Sequence, residues 1–256
     1  MPLFPRYLDT HSHLNHPAFA DDWARVAARS IAAGTWMVVV GHDLASSERA
    51  VMMAEQFPLG VYAAIGSHSR TRNAAPDMPA FRALLKNPKV VAVGELGEPD
   101  RAFDAFADLA AAADVPIILE VRRGHDTVLE HLAAAVARSP GARVRGIVHH
   151  FTGSANERAR YAQLAFSSSL TSVIAHAHGQ PSFGAAHEPH PFVESPCPFL
   201  TADFGDAGRA DPRFVASAHD HIAELRGVPS EQFSRDVTRS GIAMFSKILR
   251  TLPITA

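Results

Sequence analysis

The feature that most constrains the fold is an alternation sustained along most of the chain. Short apolar or β-branched runs are each followed by a segment with helical spacing. The runs are Tyr7–Leu14, Thr35–Val40, Val61–Ile65, Val90–Val93, Val115–Leu119, Val144–Val148, Phe166–Leu170 and Phe192–Glu194. Thr35-Trp36-Met37-Val38-Val39-Val40 is apolar almost throughout, as a strand buried on both faces should be. Between the runs lie predicted helices over Ala18–Ala33, from a cap at Asp43 or Ser46 through Gln56, and over Pro79–Lys86, Phe103–Ala113, Asp126–Ala137 and Asn156–Leu164. Strand–helix units repeating about every 20–30 residues predict a parallel sheet, and right-handed crossovers wound one way close it into a TIM-like (β/α)8 barrel. A doubly wound open sheet is the alternative. No Gly-x-Gly-x-x-Gly follows a strand, so nucleotide binding of the Rossmann kind gains no support.

Length and composition fit this reading. The 256 residues match one barrel, and no linker or repeat divides them, so 1–256 reads as a single domain. The pattern weakens over 172–190, where Gly179, Pro181, Gly184 and Pro189 interrupt it and His176, His178, His187 and His190 gather. Order returns in predicted helices over Pro212–Arg226, from Pro229 to Ser234, and over Gly241–Leu249. A net charge of −2 and a pI near 6.7 exclude a global basic footprint for duplex binding, so a nucleic-acid substrate would have to be held locally. The single Cys197, the lack of an apolar run of membrane length and the lack of a signal-peptide pattern predict a cytoplasmic protein without a membrane partner.

The polar residues with chemical potential cluster where the barrel reading makes them converge. In an extended strand side chains alternate, so Asp9, His11 and His13 are expected to share one face. Two imidazoles on one face are half of a metal site. Further polar residues end later strands: Ser67-His68, Glu95, Glu120 with Arg122, His149 with His150, and Glu194. In a (β/α)8 barrel all of these rim the mouth that carries the chemistry. With fifteen histidines in the chain any one of them is weak evidence; the joint occurrence at separate strand ends carries the metal-site expectation.

These residues also carry a resemblance. The stretches Asp9-Thr10-His11-Ser12-His13-Leu14, Gly66-Ser67-His68, Val93-Gly94-Glu95-Leu96-Gly97, Pro116-Ile117-Ile118-Leu119-Glu120-Val121-Arg122, Gly146-Ile147-Val148-His149-His150-Phe151-Thr152-Gly153 and Glu194-Ser195-Pro196-Cys197-Pro198 resemble, in order and spacing, the TatD-type metal-dependent hydrolases of the amidohydrolase superfamily. The resemblance implies a TIM-like barrel and divalent-metal phosphodiester hydrolysis, chiefly as a deoxyribonuclease. It implies metal ligands at His11, His13, Glu95 (the bridging carboxylate) and His149, with one or two ions of Zn, Mn, Mg or Ni. Two positions depart from the family pattern. Glu120 stands where the family has a histidine, which keeps a ligand but favours harder cations. Pro196 stands where the family has an aspartate, and a proline side chain can neither coordinate nor accept a proton.

Three expectations follow. The first is a hydrolase with a remodelled site: His11, His13, Glu95, Glu120 and His149 hold metal, Glu95, Glu120 and His150 serve catalysis, and His68 and Arg122 contact a phosphate or carboxylate. The substrate would be nucleic acid or a small phosphodiester. The second is a catalytically impaired barrel, with no metal if the site is degenerate, acting as a binding subunit with a protein partner in a bacterial multi-protein system. The third is a different amidohydrolase-like reaction on a small molecule.

Overall fold

The computed structural model describes residues 4–70, 75–171, 191–199 and 209–253. Its centre is an eight-stranded parallel sheet: β1 (Tyr7–Ser12), β2 (Thr35–Val40), β3 (Val61–Ile65), β4 (Val90–Leu96), β5 (Ile117–Glu120), β6 (Gly146–His149), β7 (Phe166–Thr171) and β8 (Phe192–Glu194). Spatial order follows chain order from β1 to β8, which excludes the doubly wound alternative, where the order reverses. β1 lies against β8, where the Thr10 hydroxyl reaches Glu194 Oε1 at 3.2 Å and Ser195 N donates to Asp9 Oδ1 at 3.0 Å. The result is a nearly closed (β/α)8 barrel.

Outside the strands run α1 (Trp23–Ala32), α2 (Leu44–Glu55), α3 (Met78–Leu84), α4 (Phe103–Ala113), α5 (His125–Arg138), α6 (Ala155–Gln163), α7 (Val215–Arg226) and α8 (Ser230–Met244). Sequence caps explain several starts. Asp43 accepts from Ser46 N at 2.7 Å, and the Ser46 hydroxyl accepts from Asp43 N, a reciprocal capping box that settles the choice between the two residues. Ser154 and Glu157 make the same box at α6.

The apolar residues divide into layers by strand parity. Met37 and Val39 of β2, Val61, Ala63 and Ile65 of β3, and Ile117 and Leu119 of β5 pack with Val26, Ala50, Phe106, Val128 and Tyr161 from the helices. The alternate residues Val38, Val40, Tyr62, Ala64, Ile118, Ile147 and Phe192 form a second cluster with Leu8, and so face the barrel interior. Phe245 and Ile248, beyond α8, join that interior layer. Continuing the parity past Ile118, Ile147 and Phe192 turns Glu120, His149 and Glu194 into the barrel, at the carboxyl ends of their strands.

Several boundaries differ from the sequence reading. β4 continues through Leu96, so Glu95 lies within a strand, and β5 starts at Ile117 and contains Glu120. α8 runs unbroken through Gly241, where the sequence pattern suggests a break. A Cβ at Gly241 would sit 2.8 Å from Leu8 Cδ2, so the glycine lets the helix lie close to β1. Buried Phe233, Val237, Gly241 and Ile242 supply the packing that outweighs the roughly 1 kcal/mol helix penalty of glycine. The segment 172–190, with its four histidines, lies outside the described residues.

Candidate metal centre

A cleft of about 700 Å³ opens at the carboxyl ends of the strands. His11, His13, His68, Glu95, Glu120, Arg122, His149 and His150, the residues singled out from the sequence, all line it. Pro196 lines it too and brings no polar side-chain atom.

Glu95 stands at the centre and is only 6 % exposed. Its Oε2 lies 3.0 Å from His11 Nε2 and 3.7 Å from His13 Nε2, and the two nitrogens are 3.1 Å apart. Its Oε1 lies 3.6 Å from His68 Nε2, which in turn lies 3.0 Å from Glu120 Oε2. The two carboxylate oxygens of Glu95 therefore face two different groups. Burial, followed by the neighbouring imidazoles His149 and His11, lowers His11 and His13 to pKa values of about 3. Both rings are thus neutral at pH 7 and keep lone pairs for a ligand.

Strand alternation misplaces Asp9. The β1–β2 ladder shifts register between Asp9 and Ser12, so period two does not carry from Asp9 to the histidines. Asp9 is instead fully buried and accepts from Ser195 N and, at 2.6 Å, from Ser195 Oγ. Burial pushes its carboxyl up to about 7 against those hydrogen bonds.

His149 lies flat on His11, with ring centroids 3.6 Å apart and planes 12° from parallel. Its Nδ1 meets Glu194 Oε2 at 2.6 Å, and Glu194 has no exposed surface. Burial opposes charge on both partners, but each one's field overrides it, raising His149 and lowering Glu194. His150 sits at the cleft with φ 47 and its backbone N–H on Ser169 Oγ. Burial, then the charge of His149, lowers its pKa. Among the described residues, the groups whose ligand atoms lie within 4.8 Å of one another are His11–His13–Glu95, His68–Glu95–Glu120 and His11–His149–Glu194.

One contributor, Arg70, and one pairing, that of Glu194 with His149, escaped the sequence reading. Arg70, beyond β3, donates to Glu120 Oε2 at 3.2 Å, and nothing in its local sequence announces this. Glu194 stands out as a strand-end carboxylate, but its grip on His149 joins residues 45 apart in sequence.

A parallel barrel with imidazoles and carboxylates gathered at the carboxyl ends of its strands defines a barrel hydrolase with a candidate metal centre. The chain belongs to the TatD related DNase family, whose model matches residues 8–246. The metal-dependent hydrolase YabD of Bacillus subtilis (strain 168) is 29 % identical over 93 % of this chain and 98 % of its own length. The 3'-5' ssDNA/RNA exonuclease TatD of Edwardsiella piscicida is 32 % identical, over 59 % of this chain and 62 % of its own. The crystal structure of the TatD homologue YjjV from Escherichia coli K12 superposes with a TM-score of 0.79 at 25 % identity, covering 94 % of this chain and 98 % of that one.

Proposed function

We propose that this protein is a divalent-metal-dependent phosphodiesterase that acts on single-stranded nucleic acid, with 1–256 as one catalytic domain in the cytoplasm. The observation that carries the reading is the convergence of His11 Nε2, His13 Nε2 and Glu95 Oε2, with edges of 3.0, 3.1 and 3.7 Å. Ligands about 2.0–2.1 Å from a shared ion stand about 2.9–3.4 Å apart, so the short edges suit one. Two neutral imidazoles and one buried carboxylate are also a donor set suited to a divalent cation such as Zn or Mn. The relatives named as ssDNA/RNA exonucleases support the substrate class.

When bound, the ion would neutralise charge on the scissile phosphate and favour ionisation of water. The chain's own residues do the rest. Arg122, two-thirds exposed at the cleft, draws the phosphate in. Glu194 accepts the Nδ1–H of His149 and so fixes the plane of the ring beside His11. Hydrolysis forms one P–O bond from water and breaks another, and the water's proton needs an acceptor. Pro196 leaves none at the family position. Glu120 is a poor base because its His68 and Arg122 hydrogen bonds outweigh burial and hold it ionised. His150, neutral at pH 7 and lining the cleft, is the acceptor we assign.

The test is hydrolysis of a 3′-labelled single-stranded oligonucleotide and of bis-p-nitrophenyl phosphate by protein loaded with Mn²⁺. Turnover abolished by chelation and by Glu95→Gln supports the reading. Pro196 favours a second reading, the impaired binding barrel, and saturating metal without turnover on either substrate would select it.

A further inference from the structure

The two halves of the cleft are not equivalent. On the Oε2 side of Glu95 stand His11 and His13, both neutral, with a single shared carboxylate. On the Oε1 side the triad His68–Glu95–Glu120 has comparable edges of 3.0 and 3.6 Å, so distance alone would admit a second cation there. The surroundings of Glu120 argue otherwise. Its Oε1 accepts from Arg122 Nε at 2.8 Å and lies 2.6 Å from Arg122 Nη2. Its Oε2 lies 3.2 Å from Arg70 Nη2 and 3.0 Å from His68 Nε2. Each oxygen of Glu120 thus has two nitrogens within 3.2 Å, and three of the four belong to guanidinium groups. A cation would have to break a charge-assisted bond to gain this ligand and would then sit beside two guanidinium charges.

Charge counting points the same way. Glu95 and Glu120 contribute two negative charges, and Arg70 and Arg122 return two positive ones. His149 is paired with Glu194 at 2.6 Å, and that pair adds no net charge to the count. The carboxylate at position 120 in place of a histidine is what gives the two arginines their partner.

We propose that this protein binds one divalent cation, at His11, His13 and Glu95 Oε2, and that Arg70 and Arg122, clamped on Glu120, occupy the second cation's place electrostatically. The inference rests on the metal-dependent reading above and sets the number of ions it uses. In it the positive charge facing the phosphate on this side of the cleft comes from guanidinium.

The experiment is equilibrium dialysis of chelator-stripped protein against saturating Mn²⁺, with bound metal counted by mass spectrometry and its environment read by electron paramagnetic resonance. The expected result is one Mn²⁺ per chain with the six-line signal of an isolated ion. Arg70→Gln/Arg122→Gln, which frees the lone pairs of Glu120 by changing two partly exposed side chains, is expected to take up a second ion and show exchange coupling. Glu120→Gln alone is expected to keep one ion, with its dissociation constant unchanged within about twofold. Two ions per parent chain, a double arginine variant that stays at one, or loss of the ion in Glu120→Gln would each overturn the proposal while leaving the metal-dependent reading intact. No bound ion in the parent protein would overturn both.

Discussion

Glu194→Gln isolates the contribution of a side chain that lines no part of the cleft yet orders it. The substitution keeps size and shape, so no cavity opens. In the parent, Thr10 Oγ1 reaches Glu194 Oε1 at 3.2 Å and His149 Nδ1 reaches Oε2 at 2.6 Å. A glutamine that keeps its oxygen on the Thr10 hydroxyl must present its amide N–H to His149. Nδ1 then becomes an acceptor, and the ring, no longer held positive by the Glu194 carboxylate, keeps a single proton on Nε2. A charge-assisted hydrogen bond contributes about 1.5–3 kcal/mol and a neutral one about 1, so the variant should lose about 0.5–2 kcal/mol. At about 2–4 °C per kcal/mol for a domain of this size, Tm should fall by about 1–8 °C. Loss of the partner that orients a ligating or flanking histidine typically costs about 10–100-fold in metal affinity or activity. Differential scanning calorimetry and a Mn²⁺ titration of the same preparation read both effects, and the histidine ring nitrogen shifts in NMR report the ring's protonation. A variant with unchanged Tm, unchanged ring protonation and unchanged metal affinity would refute the positioning role.

His219 on α7 has no exposed surface, lies between Tyr7 and Phe233 at ring-centroid distances of 5.1 and 5.6 Å, and lacks a hydrogen-bond partner among the described residues. Burial lowers its pKa from 6.5 to about 3. Its folded value lies below its unfolded one, so its share of stability is intact above pH 6.5 and is lost as pH falls, at about 1.4 kcal/mol per unit. Unfolding free energies from urea titrations at pH 7 and pH 5 should therefore differ by about 2 kcal/mol less in His219→Leu than in the parent; equal differences would show that His219 is protonated in the fold. Ser195→Ala removes the 2.6 Å donor to buried Asp9 and should cost about 1–3 kcal/mol, read as a lower denaturant midpoint; an unchanged midpoint would show that Ser195 N alone suffices. Arg122→Ala should raise KM for a single-stranded oligonucleotide more than it lowers kcat, whereas an equal fall in kcat with KM unchanged would remove Arg122 from ground-state binding.

The barrel was legible because its strands are short, almost wholly apolar and regularly spaced, and burial on both faces leaves few other ways to use valine-rich runs such as Met37-Val38-Val39-Val40. The histidine pair and Glu95 were legible for a related reason: polar residues at strand ends are conspicuous after apolar runs. What local pattern cannot carry is pairing across the barrel. The Arg70–Glu120 bond spans 50 residues and the Asp9–Ser195 bond 186, and neither partner marks the other in sequence. The register shift within β1 escaped for the same reason, since it is set by the pairing with β2 and not by β1 alone. Gly241 reads as a break until Leu8 is known to lie against it.

The central claim is that His11, His13 and Glu95 hold a divalent cation in this cleft. An anomalous-difference map from crystals grown with Mn²⁺ tests it directly. The expected result is a peak enclosed by His11 Nε2, His13 Nε2 and Glu95 Oε2, and lost in His11→Ala/His13→Ala. A cleft without a peak at saturating Mn²⁺, or a peak held elsewhere in the molecule, would contradict it.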